Sequence, residues 1–232
     1  MTHPSLSPTD LAQKIDHTLL KSTLTLTELE KLCREALEFQ FKTVCIPPTW
    51  VKDGVKLLQG SRVGTITVVG FPLGYSDAAS KALEARIAIE QGASEIDMVL
   101  NVSFLKNARY TELEADVATV AHACGPIPLK VIIETAYLTD DEKVKAALIA
   151  EKAGAQFVKT STGFATGVPV TGATLADIEL LRKTLKPETK IKASGGVRDL
   201  AMAYDLIRAG ADRLGTSSGV SILAGLKVDG GY

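Results

Sequence analysis

Cysteine is scarce in these 232 residues. Cys33, Cys45 and Cys124 are an odd number, widely separated and without a CxxC pair. That excludes a disulfide framework and a structural zinc site, and it fits a reducing cytoplasm. No apolar run approaches the ~18 residues a membrane span needs, although hydrophobics make up 46% of the chain. The start, Met1-Thr2-His3-Pro4-Ser5, lacks the charged end and apolar stretch of a signal peptide. Neither charge sign is in excess, with 26 basic and 27 acidic residues and no block of either. Nucleic acid and membrane surfaces are therefore not expected partners. Histidine is limited to His3, His17 and His122. No His/Asp cluster has metal-ligand spacing, which argues against metal-dependent chemistry, and Ser161 and Ser217 have no histidine for a triad. No linker or low-complexity stretch divides the chain, so residues 1–232 are expected to form one domain.

What is present is alternation. Short β-branched runs alternate with longer helical patterns from end to end. The runs are Ile15 to Leu20, Lys42 to Ile46, Gly64 to Val69, Glu95 to Leu100, Leu129 to Glu134, Gln156 to Thr160, Lys190 to Ala193 and Arg213 to Thr216. Helices are expected over Ser7 to Lys14, Thr25 to Gln40, Trp50 to Gln59, Ser76 to Gln91, Thr111 to Cys124, Thr139 to Ala153, Leu175 to Leu185, Asp199 to Ala209 and Ser217 to Lys227. Leucines 26, 29, 32 and 37 mark the inner stripe of the second helix; Ala78, Ala82, Ala85 and Ile89 mark that of the fourth. A repeated device links helix to strand in Gly92-Ala93, Gly154-Ala155 and Gly210-Ala211, spaced 62 and 56 residues. Glycine takes the left-handed position that ends a helix, alanine packs closely, and a strand begins. Eight such units predict an α/β protein, a (β/α)8 TIM barrel with a short N-terminal helix. Periodicity does not show closure, and a doubly wound sheet is the alternative.

In a barrel of this kind the site lies at the carboxyl ends of the strands, and alternation along each strand says which residues point together. Asp97 shares a face with Val99, Lys130 with Ile132 and Glu134, Lys159 with Phe157 and Ser161, Lys192 with Lys190 and Ser194. Ionisable side chains thus face the barrel axis on four successive strands, where an ion-pair plug is the competing explanation. Burial makes an ammonium costly unless it is paired or has a job. Lys159 and Lys192 fall on neighbouring strands, where each is expected to lower the other's pKa, with Asp97 balancing the remaining charge. A lysine at its reference value of ~10.4 is neutral less than about one part in a thousand at pH 7, and a drop of ~3 units makes it roughly half neutral. Such an amine attacks carbonyls.

Ser161-Thr162-Gly163, Ser194-Gly195-Gly196 and Gly215-Thr216-Ser217-Ser218-Gly219 follow the last three strands. Small residues there expose backbone N–H groups at the usual phosphate position of the fold. A phosphate monoester is the expected ligand.

With these residues assembled, the chain resembles the 2-deoxyribose-5-phosphate aldolases of the class I, Schiff-base type. The resemblance runs from Ile15-Asp16-His17-Thr18-Leu19-Leu20 through Glu95-Ile96-Asp97-Met98-Val99, Lys130 to Thr135, Phe157 to Gly163, Ile191 to Arg198 and Arg213 to Ser218. It implies reversible cleavage of 2-deoxy-D-ribose 5-phosphate to acetaldehyde and D-glyceraldehyde 3-phosphate, with no cofactor and no metal, in a cytoplasmic homodimer or homotetramer. Carried over by position, Lys159 forms the Schiff base, Lys192 tunes its neighbour and joins proton transfer, and Asp97 shuttles protons. Asp16, Thr18 and Cys45 match the substrate end. Gly163, Gly195, Gly196, Ser217 and Ser218 match the phosphate site, and Lys130, Thr162 and Gly215 count with them as substrate-binding. Phe164 stands where some members have a lysine, in a loop slightly long for the family. Tyr232 matches a C-terminal tyrosine that some members bring into the site for proton transfer. Two rivals stay open: another Schiff-base aldolase or transaldolase, and a non-catalytic barrel that binds phosphorylated sugars.

Overall fold

Every strand in the computed structural model, which describes residues 6–225, pairs in parallel with the strand before and after it in sequence. The strands are β1 (Ile15–Thr18), β2 (Thr43–Ile46), β3 (Gly64–Val69), β4 (Glu95–Val99), β5 (Leu129–Ile132), β6 (Phe157–Lys159), β7 (Lys190–Ser194) and β8 (Arg213–Thr216). β1 pairs with β8 as well as with β2, so the sheet closes on itself, and the doubly wound alternative falls. The helices are α1 (Pro8–Ala12), α2 (Leu26–Phe39), α3 (Val51–Leu57), α4 (Ala78–Glu90), α5 (Val102–Lys106), α6 (Tyr110–Cys124), α7 (Asp140–Lys152), α8 (Leu175–Thr184), α9 (Leu200–Ala209) and α10 (Gly219–Leu223).

Local chemistry explains where these elements start and stop. Thr25 and Glu28 form a capping box on α2, as do Thr139 and Glu142 on α7; each satisfies two backbone donors that a helix start leaves open. Ser7 caps α1, with Pro8 at its first position. Gly92, Gly154 and Gly210 have φ of +102°, +101° and +120°, and Ala93, Ala155 and Ala211 behind them are buried. The repeated glycine-alanine device is therefore a set of matching helix-to-strand turns.

Some expectations need correction. The buried stripe of α2 is Leu29, Leu32, Cys33 and Ala36, while Leu26 and Leu37 are exposed. On α4, Ala82 and Ala85 are buried with Lys81 and Ala88, and Ala78 and Ile89 only flank that stripe. A 3-10 turn, Pro48–Trp50, precedes α3, because Pro47-Pro48 sets the chain extended before it turns. α5 was not expected; its five residues follow Asn101, whose side chain accepts from the Phe104 N–H at 3.2 Å. β5 ends two residues early: Glu134 adopts φ +54°, ψ +68°, so strand alternation no longer aims its side chain. The last helix ends at Leu223; Lys227, its expected end, and Tyr232 lie outside the described residues.

Outward strand residues such as Ile96, Met98, Val131, Val158, Ile191 and Leu214 meet the inner faces of the helices in one continuous core. Burying this apolar layer is the main stabilising term of the fold. The barrel axis is divided. Cys45, Ile66 and Val68 on β2 and β3 pack with Leu20 in a small apolar cluster, whereas the inward residues of the other strands are mostly charged.

Candidate active site

Parallel register sets the first relationship: Lys159 pairs with Lys192, and Asp97 with Lys130. Lys159 Nζ lies 2.9 Å from Asp97 Oδ2, and Lys192 Nζ lies 2.8 Å from the same oxygen. Lys192 Nζ also lies 2.6 Å from Asp16 Oδ2. Asp16 Oδ1 is 2.5 Å from Arg213 Nη1 and accepts from the Thr43 hydroxyl at 2.7 Å. Arg213 Nη2 is 3.2 Å from Glu95 Oε1, Glu95 Oε2 is 2.5 Å from Lys130 Nζ, and Lys130 Nζ is 2.9 Å from Asp97 Oδ1. Asp97, Lys192, Asp16, Arg213, Glu95 and Lys130 thus close a ring of alternating charge. Against it packs Phe157, whose ring centroid is 5.5 Å from both Lys130 Nζ and the Arg213 guanidinium carbon.

Three acids and three bases make that ring neutral by itself. Lys159 is the seventh group, attached to Asp97 from above. Of the seven, Lys159 is the one that lines the open cavity at the carboxyl ends of the strands. Attack on a carbonyl is chemistry open to a lysine that reaches such a cavity.

The electrostatics correct one expectation. Burial works to lower the Lys192 ammonium, but Asp16 and Asp97 outweigh it and hold the group well above the ordinary lysine range. Lys192 is a fixed cation, not one of two mutually weakened amines. For Asp97, burial is outweighed by Lys130, Lys159 and Lys192, which hold the carboxyl well below its usual range. Asp16 is lowered in the same way, burial being outweighed by Lys192 and Arg213. An ion pair this deep survives only when every partner is present.

The other expected residues fall into two groups. Thr18, Thr162, Gly163, Gly195 and Gly196 line the cavity with Lys159, and Gly215, Ser217 and Ser218 complete its wall. Gly163, Gly195 and Gly196 have φ of +85°, +81° and +75°, which lets consecutive N–H groups turn toward one side as an anion site requires. Asp16, Cys45 and Lys130, expected at the substrate, are instead fully buried and absent from the cavity lining. Burial pushes the Cys45 thiol up. His17 faces outward, its Nε2 2.8 Å from Glu35 Oε2 and its ring against Phe41. Phe164 packs edge-on against Phe71, with ring centroids 5.3 Å apart, joining the loops after β6 and β3.

Sequence reasoning missed several residues. Leu20, Val197 and Arg198 also line the cavity, beside Ser194. Glu134 accepts from both the Thr162 N–H, at 3.1 Å, and the Thr162 hydroxyl, tying the end of β5 to the loop after β6. Burial pushes its carboxyl above the ordinary value, against those two bonds. Alternation puts Glu134 on the inner face with Lys130, but its bonds to Thr162 follow from a left-handed backbone that alternation does not describe. Among the described residues no group of three His, Cys, Asp or Glu side chains is placed to hold a metal ion, and no helix is long and apolar enough to cross a membrane.

Comparison with known proteins bears on the same arrangement. The deoxyribose-phosphate aldolase of Lysinibacillus sphaericus is 53% identical over 224 residues, covering 96% of this chain and 99% of that protein. The crystal structure of a candidate deoxyribose-phosphate aldolase from Coccidioides immitis superposes with a TM-score of 0.90 at 41% identity, over 96% of this chain and 87% of that one. The deoxyribose phosphate aldolase of Aeropyrum pernix, described as a unique tetramer, gives a TM-score of 0.83 at 34% identity, over 94% and 91%. The profile of the DeoC/LacD family aldolases matches residues 11–225, and with relatives of this identity and coverage the chain belongs to that family.

Proposed function

We propose that this chain is a class I aldolase that reversibly cleaves 2-deoxy-D-ribose 5-phosphate to D-glyceraldehyde 3-phosphate and acetaldehyde. The observation that carries this reading is the position of Lys159, the one member of the charged cluster that lines the cavity. The open-chain sugar presents its C1 aldehyde to Lys159 Nζ. Addition and loss of water give a protonated imine, which is an electron sink. Removal of the C3 hydroxyl proton then breaks the C2–C3 bond, releasing glyceraldehyde 3-phosphate and leaving an enamine on Lys159. Protonation of that enamine at C2 and hydrolysis return acetaldehyde and the free amine.

A part for Asp97 and Lys192 in handling those protons is supported by the bond of Lys159 to Asp97 Oδ2 and of Lys192 to the same oxygen. Lys192 remains the fixed cation, and Asp97, bridging three ammoniums, is the group through which a proton passes by way of water. The loops carrying Gly163, Gly195, Gly196, Ser217 and Ser218 hold the phosphate with backbone N–H groups, as small residues after the last strands do in this fold. Asp16 and Lys130 act from below, by fixing Lys192 and Asp97. One barrel is the working domain of the chain.

A cytoplasmic setting is supported by Cys33, Cys45 and Cys124, all buried free thiols. A homodimer or homotetramer is supported by the tetramer described for the Aeropyrum relative. Exposed Leu83 and Ile87 on α4, with Leu73 and Tyr75 before it, offer an apolar surface for it. Borohydride reduction in the presence of acetaldehyde, followed by peptide mass measurement, tests the mechanism. An ethyl adduct on Lys159 is expected, and active protein without one refutes the Schiff base.

A further inference from the structure

Ser194 closes β7 with its side chain on the same face as Lys192, two residues earlier. Its Oγ is buried and makes no hydrogen bond among the described residues, and Ser194 lines the cavity. A hydroxyl shielded from water without a partner is unfavourable, and native interiors rarely leave one without a reason. His17 Nδ1 and Thr135 Oγ1 are also without partners, but neither residue lines this cavity.

The backbone that carries the hydroxyl is held firmly. The Ser194 N–H donates to Thr160 Oγ1 at 3.1 Å, and the Thr160 hydroxyl donates to the Ser194 carbonyl at 3.2 Å. Opposite it on β8 is Gly215, its register partner. A Cβ placed on Gly215 would come within 2.3 Å of Ser194 Oγ, so the hydroxyl occupies the space over that glycine.

Height along the barrel then decides what it meets. Lys192 is level with its register partner Lys159, and Ser194 stands two residues further toward the mouth, about 6.6 Å along the strand. Directly above come Gly195 and Gly196. On the proposed reaction, which this inference rests on, C1 of the substrate is bonded to Lys159 and the C5 phosphate lies among the glycine loops. The C3 hydroxyl belongs to the proton-transfer groups at the lysine level. The C4 hydroxyl is left at the height of Ser194.

We propose that Ser194 Oγ is the hydrogen-bond partner of the substrate's C4 hydroxyl, which is the C2 hydroxyl of glyceraldehyde 3-phosphate. Ser194 is then a specificity-determining residue: it favours an acceptor aldehyde bearing a hydroxyl beside the carbonyl. A site built around such a hydrogen bond discriminates against the analogue lacking the hydroxyl, because its own polar group is left unpaired.

The test is the addition of acetaldehyde to two acceptors, D-glyceraldehyde 3-phosphate and 3-phosphooxypropanal, which lacks the C2 hydroxyl. The wild-type protein is expected to prefer the first by roughly tenfold or more in kcat/KM, the scale of one buried hydrogen bond. Ser194→Ala is expected to lose about tenfold on glyceraldehyde 3-phosphate while staying within about twofold on the deoxy acceptor. Equal loss on both acceptors, or no preference in the wild type, overturns the assignment. Borohydride trapping of acetaldehyde separates this from the parent reading: Ser194→Ala is expected to trap as the wild type does. A wild type that traps no acetaldehyde overturns the Schiff base itself, whereas normal trapping with unchanged acceptor preference in Ser194→Ala overturns Ser194 alone.

Discussion

Lys159 and Lys192 place both ammonium nitrogens on a single oxygen, Asp97 Oδ2, at 2.9 and 2.8 Å. The two are not equivalent, because Lys192 is also paired with Asp16 at 2.6 Å and Lys159 has no second carboxylate within ion-pair distance among the described residues. The arrangement therefore assigns the permanent charge to Lys192, while Lys159 is the one of the two that lines the cavity.

That asymmetry predicts different failures for the two lysines. Lys159→Leu is expected to abolish the trapped imine. Lys192→Leu removes a cation from a balanced ring, so the remaining carboxylates favour a proton on Lys159. Imine formation should slow, and its pH dependence should move upward. Trapping rates measured from pH 6 to pH 10 decide the matter; an unchanged rate and profile in Lys192→Leu would refute the coupling.

Asp97→Asn is expected to cost stability as well as turnover. The amide leaves Lys130, Lys159 and Lys192 around a neutral group, all three of which Asp97 now contacts. Breaking a buried pair by removing one partner costs about 3–5 kcal/mol, which for a domain of this size is a fall of more than ~6 °C in Tm. Thermal melts beside activity read both effects, and a wild-type Tm in Asp97→Asn would mean the ring contributes nothing to folding.

Alternation along strands was enough to find Asp97, Lys130, Lys159 and Lys192, because each sits inside a regular strand where every second residue faces the axis. The ring was not legible. Glu95 and Arg213 meet across the barrel, 118 residues apart in sequence, and Asp16 meets Arg213 only because β1 closes onto β8. Nothing local encodes such a crossing. The rise of Lys192 was misread for the same reason: its second counter-ion, Asp16, comes from the far end of the chain. Alternation also put Glu134 and Ser194 on the inner face, but not the tie of Glu134 to Thr162, which follows from a left-handed backbone, nor the lack of a partner at Ser194 Oγ.

The shifted groups of the ring set a pH window for stability. Asp16 and Asp97 are held below their unfolded values, so the stability they contribute is present above about pH 4 and lost as pH falls toward their folded values. Lys192 is held above its unfolded value, so its contribution is complete below about pH 10.4 and lost as pH rises beyond. Glu134 is raised and acts oppositely, weakening the fold slightly as pH climbs past ~4.3. Urea midpoints from pH 3 to pH 11 are expected to rise sharply as the pH passes about 4, decline slightly on the plateau above, and fall above about pH 10. Glu134→Gln is expected to reduce that slight decline, to which the raised carboxyl of Asp116 also contributes, and an undiminished decline would clear Glu134.

Gly215→Ala tests whether the wall of the cavity is as rigid as its contacts imply. The new Cβ would lie 2.3 Å from Ser194 Oγ, 3.0 Å from Lys192 Cε and 3.3 Å from Ser194 Cβ. Lys192 is held by two carboxylates and the Ser194 backbone by the Thr160 hydroxyl, so only the unpartnered Ser194 hydroxyl can turn aside. Overpacking of this kind costs about 1–3 kcal/mol, and displacement of Lys192 is expected to lower kcat more than it raises KM. Removing the closest atom should relieve the clash: Ser194→Ala combined with Gly215→Ala is expected to be more stable than Gly215→Ala alone by about 1 kcal/mol, a non-additive pair because the two side chains share one space. Strict additivity in urea denaturation would mean that the strand ends shift apart instead, and that Ser194 is not fixed where the substrate must meet it.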